Sequence, residues 1–366
     1  MFRSLVIAPP SVREAVMSQP LNATLARRGE VVAVAASPDV APVYRAMGVA
    51  VAQVYELPLR PGRVDWALRR SVGASWRRRY DVAYVLSDAL PDALLPWFAG
   101  VPRRIGHAGS RRPLLINEPP VGPQPRSGVA RFLALAGEPA GELPQPALAP
   151  APERLATVCE AHGVKPGGYW VLAPGGDGAP ARCWPPGQHA QLMRQLHGRS
   201  GCPVLLMGSG QDVALAQHIA AEAVGVPSLV LAGTVGLDDA MALLAASAGV
   251  LAGDNGWMQL ASALGVPQVA LFGPTTPDDC GPLHRHTRVL RLEPAAAPAC
   301  APCNARSCPP GHGRCLRDLG PDQVLEALLA QARQAAEEPL PSPPRRVGAF
   351  AAMPVETSAR LAIVGA

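Results

Sequence analysis

From residue 169 onward, short apolar runs recur, and most of them end in a turn rich in Gly and Asp. Tyr169–Ala173 runs into Pro174-Gly175-Gly176-Asp177-Gly178, Val204–Met207 into Gly208-Ser209-Gly210, and Leu229–Ala232 into Gly233-Thr234. Gly249–Ala252 runs into Gly253-Asp254-Asn255-Gly256, and Gln268–Phe272 closes the series. Runs this short and this uniformly apolar read as parallel strands buried on both faces. His189–His197, Val213–Ala223, Leu237–Ala246 and Trp257–Leu264 carry helical patterns between or after them. Strand–helix alternation of this kind predicts a doubly wound α/β sheet.

The N-terminal part repeats the arrangement less clearly. Leu5–Ala8, Val31–Ala35 and Val82–Leu86 have strand character, with helical stretches at Glu14–Arg28, Pro42–Met47 and Asp92–Phe98. Composition turns rich in Pro, Ala and Gly from Gly137 to Pro152, which suits a flexible linker. The expectation is a first domain over 1–150, a second over 151–335 ending in a helix at Pro321–Ala335, and a disordered tail over 336–366. Two such domains face each other across a cleft, and ligands of open parallel sheets sit outside the carboxyl ends of the strands. The Gly-rich turns fall at those ends. They either cradle a nucleotide's phosphates with backbone N–H groups or serve only as tight turns.

Composition narrows the function classes. With 48% hydrophobic and 17% charged residues, the chain has material for real cores. No run approaches the ~18 apolar residues of a membrane span, and Leu5–Ala8 is too short for a signal-peptide core. A soluble, cytoplasmic protein is expected. Lys165 is the one lysine among 33 basic residues. That bias reflects either a GC-rich genome or attraction to phosphate-bearing partners, for which Arg offers a bidentate fork. The densest runs are Arg69-Arg70, Arg77-Arg78-Arg79, Arg103-Arg104 and Arg111-Arg112. Aromatics at 4% and the lack of a zinc-finger or RNA-recognition signature argue against nucleic acid as a partner.

Several stretches together resemble the lipopolysaccharide heptosyltransferases of glycosyltransferase family 9. They are Pro174–Pro185, Gly208-Ser209 with Asp212, Leu231–Thr234, Asp254-Asn255-Gly256-Trp257-Met258 and Ala270–Thr275. Val6–Pro9, Met17-Ser18-Gln19, Tyr80–Leu86 and Phe98–Pro102 add to the likeness, which runs to about residue 335 and is nearest the heptosyltransferase II type. The resemblance implies a GT-B architecture of two Rossmann-like domains facing a central cleft. It implies ADP-heptose as donor in the C-terminal domain and the heptose-Kdo2-lipid A core as acceptor in the N-terminal domain. Transfer would invert the anomeric centre without a cofactor, at the cytoplasmic face of the inner membrane in peripheral contact with it.

Residue by residue, the resemblance puts Glu14 where the family has its Asp general base, although a Glu at a helix start also serves as a dipole cap. Arg13 replaces a usual Gly and is expected either to pair with Glu14 or to contact the acceptor. Arg182, two residues before Trp184, stands for the Lys that stabilises the leaving phosphate. Gly175, Gly176, Asp177, Gly208, Ser209, Asp212, Thr234, Val235, Leu237, Asp254, Asn255, Gly256 and Gln259 are the expected donor contacts. Among them Asp212 is aimed at ribose, Val235 and Leu237 at adenine, and Asp254 at the sugar or its helix cap; Gln259 replaces a His. Acceptor contacts are expected at Asp88, Arg111 and Arg112. Cys300, Cys303, Cys308 and Cys315 have spacing suited to a structural zinc, with a disulfide pair as the other reading. The departures at Arg13, Glu14, Arg182 and Gln259 raise alternatives: a catalytically weakened relative, or a transferase using another nucleotide sugar.

Overall fold

A computed structural model describes residues 2–338 apart from 61, 108–111, 113, 123–124, 126 and 139–140. Eleven parallel strands form two sheets. In the first lobe β1 (Arg3–Ile7), β2 (Val31–Ala36), β3 (Gln53–Glu56), β4 (Val82–Val85) and β5 (Arg103–Gly106) lie in the order β3-β2-β1-β4-β5. In the second, β6 (Trp170–Ala173), β7 (Val204–Leu206), β8 (Ser228–Val230), β9 (Gly249–Gly253), β10 (Gln268–Leu271) and β11 (Thr287–Leu290) lie in the order β11-β10-β9-β6-β7-β8. Both orders reverse direction beside their first strand, so the crevices open at β1/β4 and at β6/β9.

The central strands are the runs that the hydrophobic pattern finds. Leu5 pairs with Ala33 on one side and Ala83 on the other, and Val171 with Leu205 and Val250, all of them buried. Both edge strands of the first sheet escape it, because β3 (Gln-Val-Tyr-Glu) and β5 (Arg-Arg-Ile-Gly) carry polar residues where one side of the ladder is open. The single helix expected over Glu14–Arg28 is two, Val12–Met17 and Gln19–Arg27. Pro20 lacks the N–H that would continue the ladder, and Ser18 takes the joint, its hydroxyl donating to Ala15 O at 2.7 Å. The C-terminal helix runs over Pro321–Glu337, past the expected start of the tail at 336, and residues 339–366 lie outside the described residues.

The proposed linker is not loose. Ala147 N donates to Gln19 Oε1 (3.2 Å), Leu148 N to Ala263 O (2.9 Å) and Ala149 N to Ala46 O (2.9 Å), so the segment is laced to both lobes. Beside it, helix Val12–Met17 of the first lobe packs on helix Gly256–Ala263 of the second. Ala15, Val16, Met17, Met258 and Ala261 belong to one apolar cluster that runs through both lobes. A Cβ at Gly256 would meet Val12 Cβ at 3.4 Å and Arg13 N at 3.5 Å, so the smallest residue sets the closest approach of the two lobes.

Candidate active site at the lobe junction

Three strand ends converge where the lobes meet. β1 delivers Ser11, Arg13 and Glu14, β6 delivers Asp177, and β9 delivers Asp254, Asn255 and Gly256. Ser11 caps helix Val12–Met17: its Oγ accepts from Glu14 N (3.3 Å) and donates to Glu14 Oε2 (2.8 Å). Glu14 therefore sits in the first turn against its cap, half-buried, and among the described residues its other carboxylate oxygen takes no hydrogen bond.

Arg13 does not pair with Glu14. Its guanidinium crosses to the second lobe, with Nη1 2.5 Å from Asp254 Oδ1 and Nη2 2.6 Å from Asp254 O and 3.1 Å from Asp177 Oδ2. Burial works against the Arg13 charge, but the Asp254 and Asp177 carboxylates outweigh it and hold the group above its ordinary pKa. Arg13 is thus engaged with carboxylates of the second lobe rather than with its neighbour Glu14. The charge density is high: Arg182 Nη1 lies 3.5 Å from Asp254 Oδ2. The Cys280 thiol donates to Asp254 Oδ1 at 3.3 Å. Burial, and then the Asp254 charge, push that thiol up to about 12.

Asn255 ties the junction together. Fully buried, it caps helix Gly256–Ala263 by accepting from Met258 N (3.0 Å) and donates to Gly175 O (2.6 Å) and Ala173 O (3.2 Å). One side chain thereby fixes the turn after β6 against the helix after β9. The first free amide of that helix, Gly256 N, donates to Asp177 Oδ2 at 3.1 Å. Asp177 itself sits in the left-handed region (φ 52°), a conformation that a non-glycine residue adopts at a cost.

The other expected donor residues divide. Gly175, Gly176, Gly208 and Ser209 line the adjoining strand ends, and Asp212 Oδ2 accepts from Ser209 N (2.8 Å) and Ser209 Oγ (2.7 Å). A Cβ at Gly175 would lie 2.2 Å from Asp212 Oδ1, so that carboxylate is turned into the Gly175 turn. Thr234 is exposed, with its hydroxyl on Leu231 O (3.1 Å), while Val235 and Leu237 are half-buried against the core. Gln259 is buried and donates to Cys280 O at 2.6 Å, which holds the Cys280 turn.

In the first lobe, Arg112 is 2% exposed and spends its guanidinium on Ser87 O and His107 O, each at 2.7 Å, and on Asp88 at 3.3 Å. These bonds shape the loop, and Asp88 stays exposed between Arg112 and Arg131. Arg111 lies outside the described residues. The arginine excess is likewise partly internal: Arg69 is 1% exposed and bonded to Val64 O and Asp92, and Arg104 holds Leu115 O and Val101 O.

The cysteine segment does not form a metal centre. Cys300 Sγ lies 3.9 Å from His312 Nε2, and Cys308 Sγ accepts from Gly313 N at 3.3 Å. Burial and the nearby Cys303, Cys308 and Cys300 raise the Cys315 thiol. Among the described residues no three His, Cys, Asp or Glu side chains group so as to hold an ion, and all eight cysteines are free thiols. Both the zinc and the disulfide readings are therefore unsupported. The segment instead buttresses the turn after β6: Arg306 Nη2 donates to Gly178 O and Ala181 N to Arg306 O, both at 3.0 Å. Nothing in the sequence marks Arg306 or Cys280 as neighbours of the site, since their signal is proximity created by the fold. Among the described residues no helix is long and apolar enough to cross a membrane.

Two Rossmann-like lobes, each presenting its switch-point turns to the other, are the layout of a GT-B glycosyltransferase. Residues 66–310 match the family described as glycosyltransferase family 9 (heptosyltransferase). Lipopolysaccharide heptosyltransferase 2 of Escherichia coli K12 is 34% identical over 348 residues, covering 90% of this chain and 98% of that protein. Among solved structures, E. coli ADP-heptose lps heptosyltransferase II superposes with a TM-score of 0.78 at 30% identity, covering 92% of this chain and 100% of that one. A family 9 glycosyl transferase from Veillonella parvula shares the fold, with a TM-score of 0.76 at 17% identity over 91% of this chain and 97% of that one. The chain belongs to glycosyltransferase family 9.

Proposed function

We propose that the protein transfers heptose from ADP-heptose to the heptose-Kdo2-lipid A inner core of lipopolysaccharide, inverting the anomeric centre and using no cofactor. One observation supports the reading: in a family 9 chain, Arg182 and Arg13, the neighbour of Glu14, both reach Asp254 beside the start of helix Gly256–Ala263. The lobe of residues 1–150 would hold the acceptor, with Asp88 within reach of it, and the lobe of 151–335 the donor. Glu14 takes the proton of the acceptor hydroxyl as its oxygen forms the new bond to the anomeric carbon. The bond from that carbon to the phosphate oxygen breaks, and ADP leaves with its charge stabilised by Arg182 and the helix amides.

The acceptor is lipid-borne, and the first lobe carries a surface suited to a bilayer interface. Trp66 (52% exposed) and Trp97 (44% exposed) flank Phe98, with ring centroids 4.9 and 5.0 Å away. Exposed Arg63 and Arg70 neighbour Trp66 in sequence, and Arg77, Arg78 and Arg79 follow the same helix. Aromatic rings beside arginines fit the headgroup layer of an anionic membrane, here the cytoplasmic face of the inner membrane.

A weakened relative is the second reading, favoured by the carboxylates and Arg13 that already fill the junction. A donor screen scored by product mass separates the two. A product heavier by one heptose with ADP-heptose supports the first, a hexose increment from another nucleotide sugar redirects the donor, and no product with any donor supports the second.

A further inference from the structure

Where a donor diphosphate would meet the second lobe, the protein already holds an anion of its own. The Asp177 carboxylate sits on Gly256 N, the leading amide of helix Gly256–Ala263, at 3.1 and 3.4 Å from its two oxygens. It reaches there from a left-handed backbone (φ 52°), and Oδ2, the oxygen nearer Gly256 N, is also met by Arg13 from the opposite lobe at 3.1 Å. A carboxylate between a helix start and a guanidinium has the charge and the partners of a bound phosphate oxygen. The neighbours are unfinished: Arg182 Nε and Asp254 Oδ2 are buried without a hydrogen bond. Asp177, by contrast, is 43% exposed and so free to swing out.

Building on the donor site assigned above, we propose that Asp177 is an internal stand-in for the donor diphosphate and that Arg13 is handed from Asp177 to the diphosphate when the donor displaces it. Arg13 then binds phosphate in the second lobe while anchored in the first, at the residue before Glu14. Donor occupancy then draws on the contact that already joins the lobes, with the proposed base on the same helical turn. A glycine at position 13, usual in the resemblance, has no side chain with which to do this.

The test is ADP and adenosine binding by calorimetry to the full-length wild type and to Asp177→Asn, Arg13→Ala and Arg13→Lys, with melting curves to establish folding. Asp177→Asn removes the competing charge while keeping the shape, and should tighten ADP at least threefold. Arg13→Ala should weaken ADP at least tenfold and leave adenosine unchanged, with partial recovery in Arg13→Lys. A merely structural ion pair predicts the opposite sign for Asp177→Asn, so unchanged or weaker ADP binding in that variant overturns the proposal even if Arg13→Ala fails to fold. ADP that binds the wild type normally but ignores Arg13→Ala also overturns it while leaving the donor site intact. No ADP binding to the wild type removes the donor site itself and the proposal with it.

Discussion

Replacing Asn255 by Ala removes three contacts with one side chain. The helix cap to Met258 N is worth about 1 kcal/mol. The carbonyls of Gly175 and Ala173 lose their side-chain donor in a site where Asn255 is fully buried, at roughly 1–2 kcal/mol each. The total is about 3–5 kcal/mol. A lobe of this size loses ~2–4 °C of melting temperature per kcal/mol, so the second lobe should melt about 10 °C lower. Asn255→Asp keeps the cap and adds a charge that the helix start favours, but turns an acceptor towards two carbonyls, and should be no more stable than the Ala variant. Scanning calorimetry of the three proteins, with and without ADP, reads both effects, and ADP should raise the variants' melting temperature less than that of the wild type. A melting temperature for Asn255→Ala within about 2 °C of the wild type would refute the idea that this side chain clamps the β6 turn to the β9 helix.

Trp66→Ser with Trp97→Ser should reduce sedimentation with vesicles rich in anionic lipid several-fold while leaving ADP binding unchanged; equal sedimentation removes the membrane face. Cys280, with its thiol pushed up to about 12, should resist iodoacetamide at pH 8 under conditions that modify exposed Cys300, as read by peptide mass. Rapid labelling of Cys280 would mean that the lobes do not stay closed over Asp254. His189 is 3% exposed, and burial pulls its pKa down to about 4. The unfolded chain, titrating near 6.5, therefore binds the proton first. Stability from this group is complete above about pH 6.5 and is lost as pH falls towards 4. Melting temperatures over that window should fall more steeply for the wild type than for His189→Gln, and parallel curves would contradict it.

The central strands were legible because burial on both faces leaves no room for polar residues, as in Leu5–Ile7 or Val250–Ala252. Edge strands β3 and β5 were not, since half their hydrogen-bonding edge faces outward and permits Gln53, Arg103 and Arg104. The Gly-rich turns were readable as motifs, but the partners of their side chains were not. Asp212 turns into Gly175, Gln259 into the Cys280 turn, and Arg13 away from its neighbour Glu14 towards a residue 241 positions distant. Such pairings are set by how two lobes close on each other, and spacing along one chain carries no record of that. Cysteine spacing misled for a related reason: it counts donors but not their directions, and the segment serves through Arg306 and its backbone.

The central claim is tested most directly by ADP release from ADP-heptose and heptose-Kdo2-lipid A, comparing the wild type with Glu14→Gln. Loss of the proton acceptor should lower turnover by about 10²–10⁴-fold with ADP affinity unchanged, because Gln keeps the size and the Ser11 contact of the side chain. Turnover in Glu14→Gln within threefold of the wild type would contradict the account, since the acceptor's proton would then have to leave by another group.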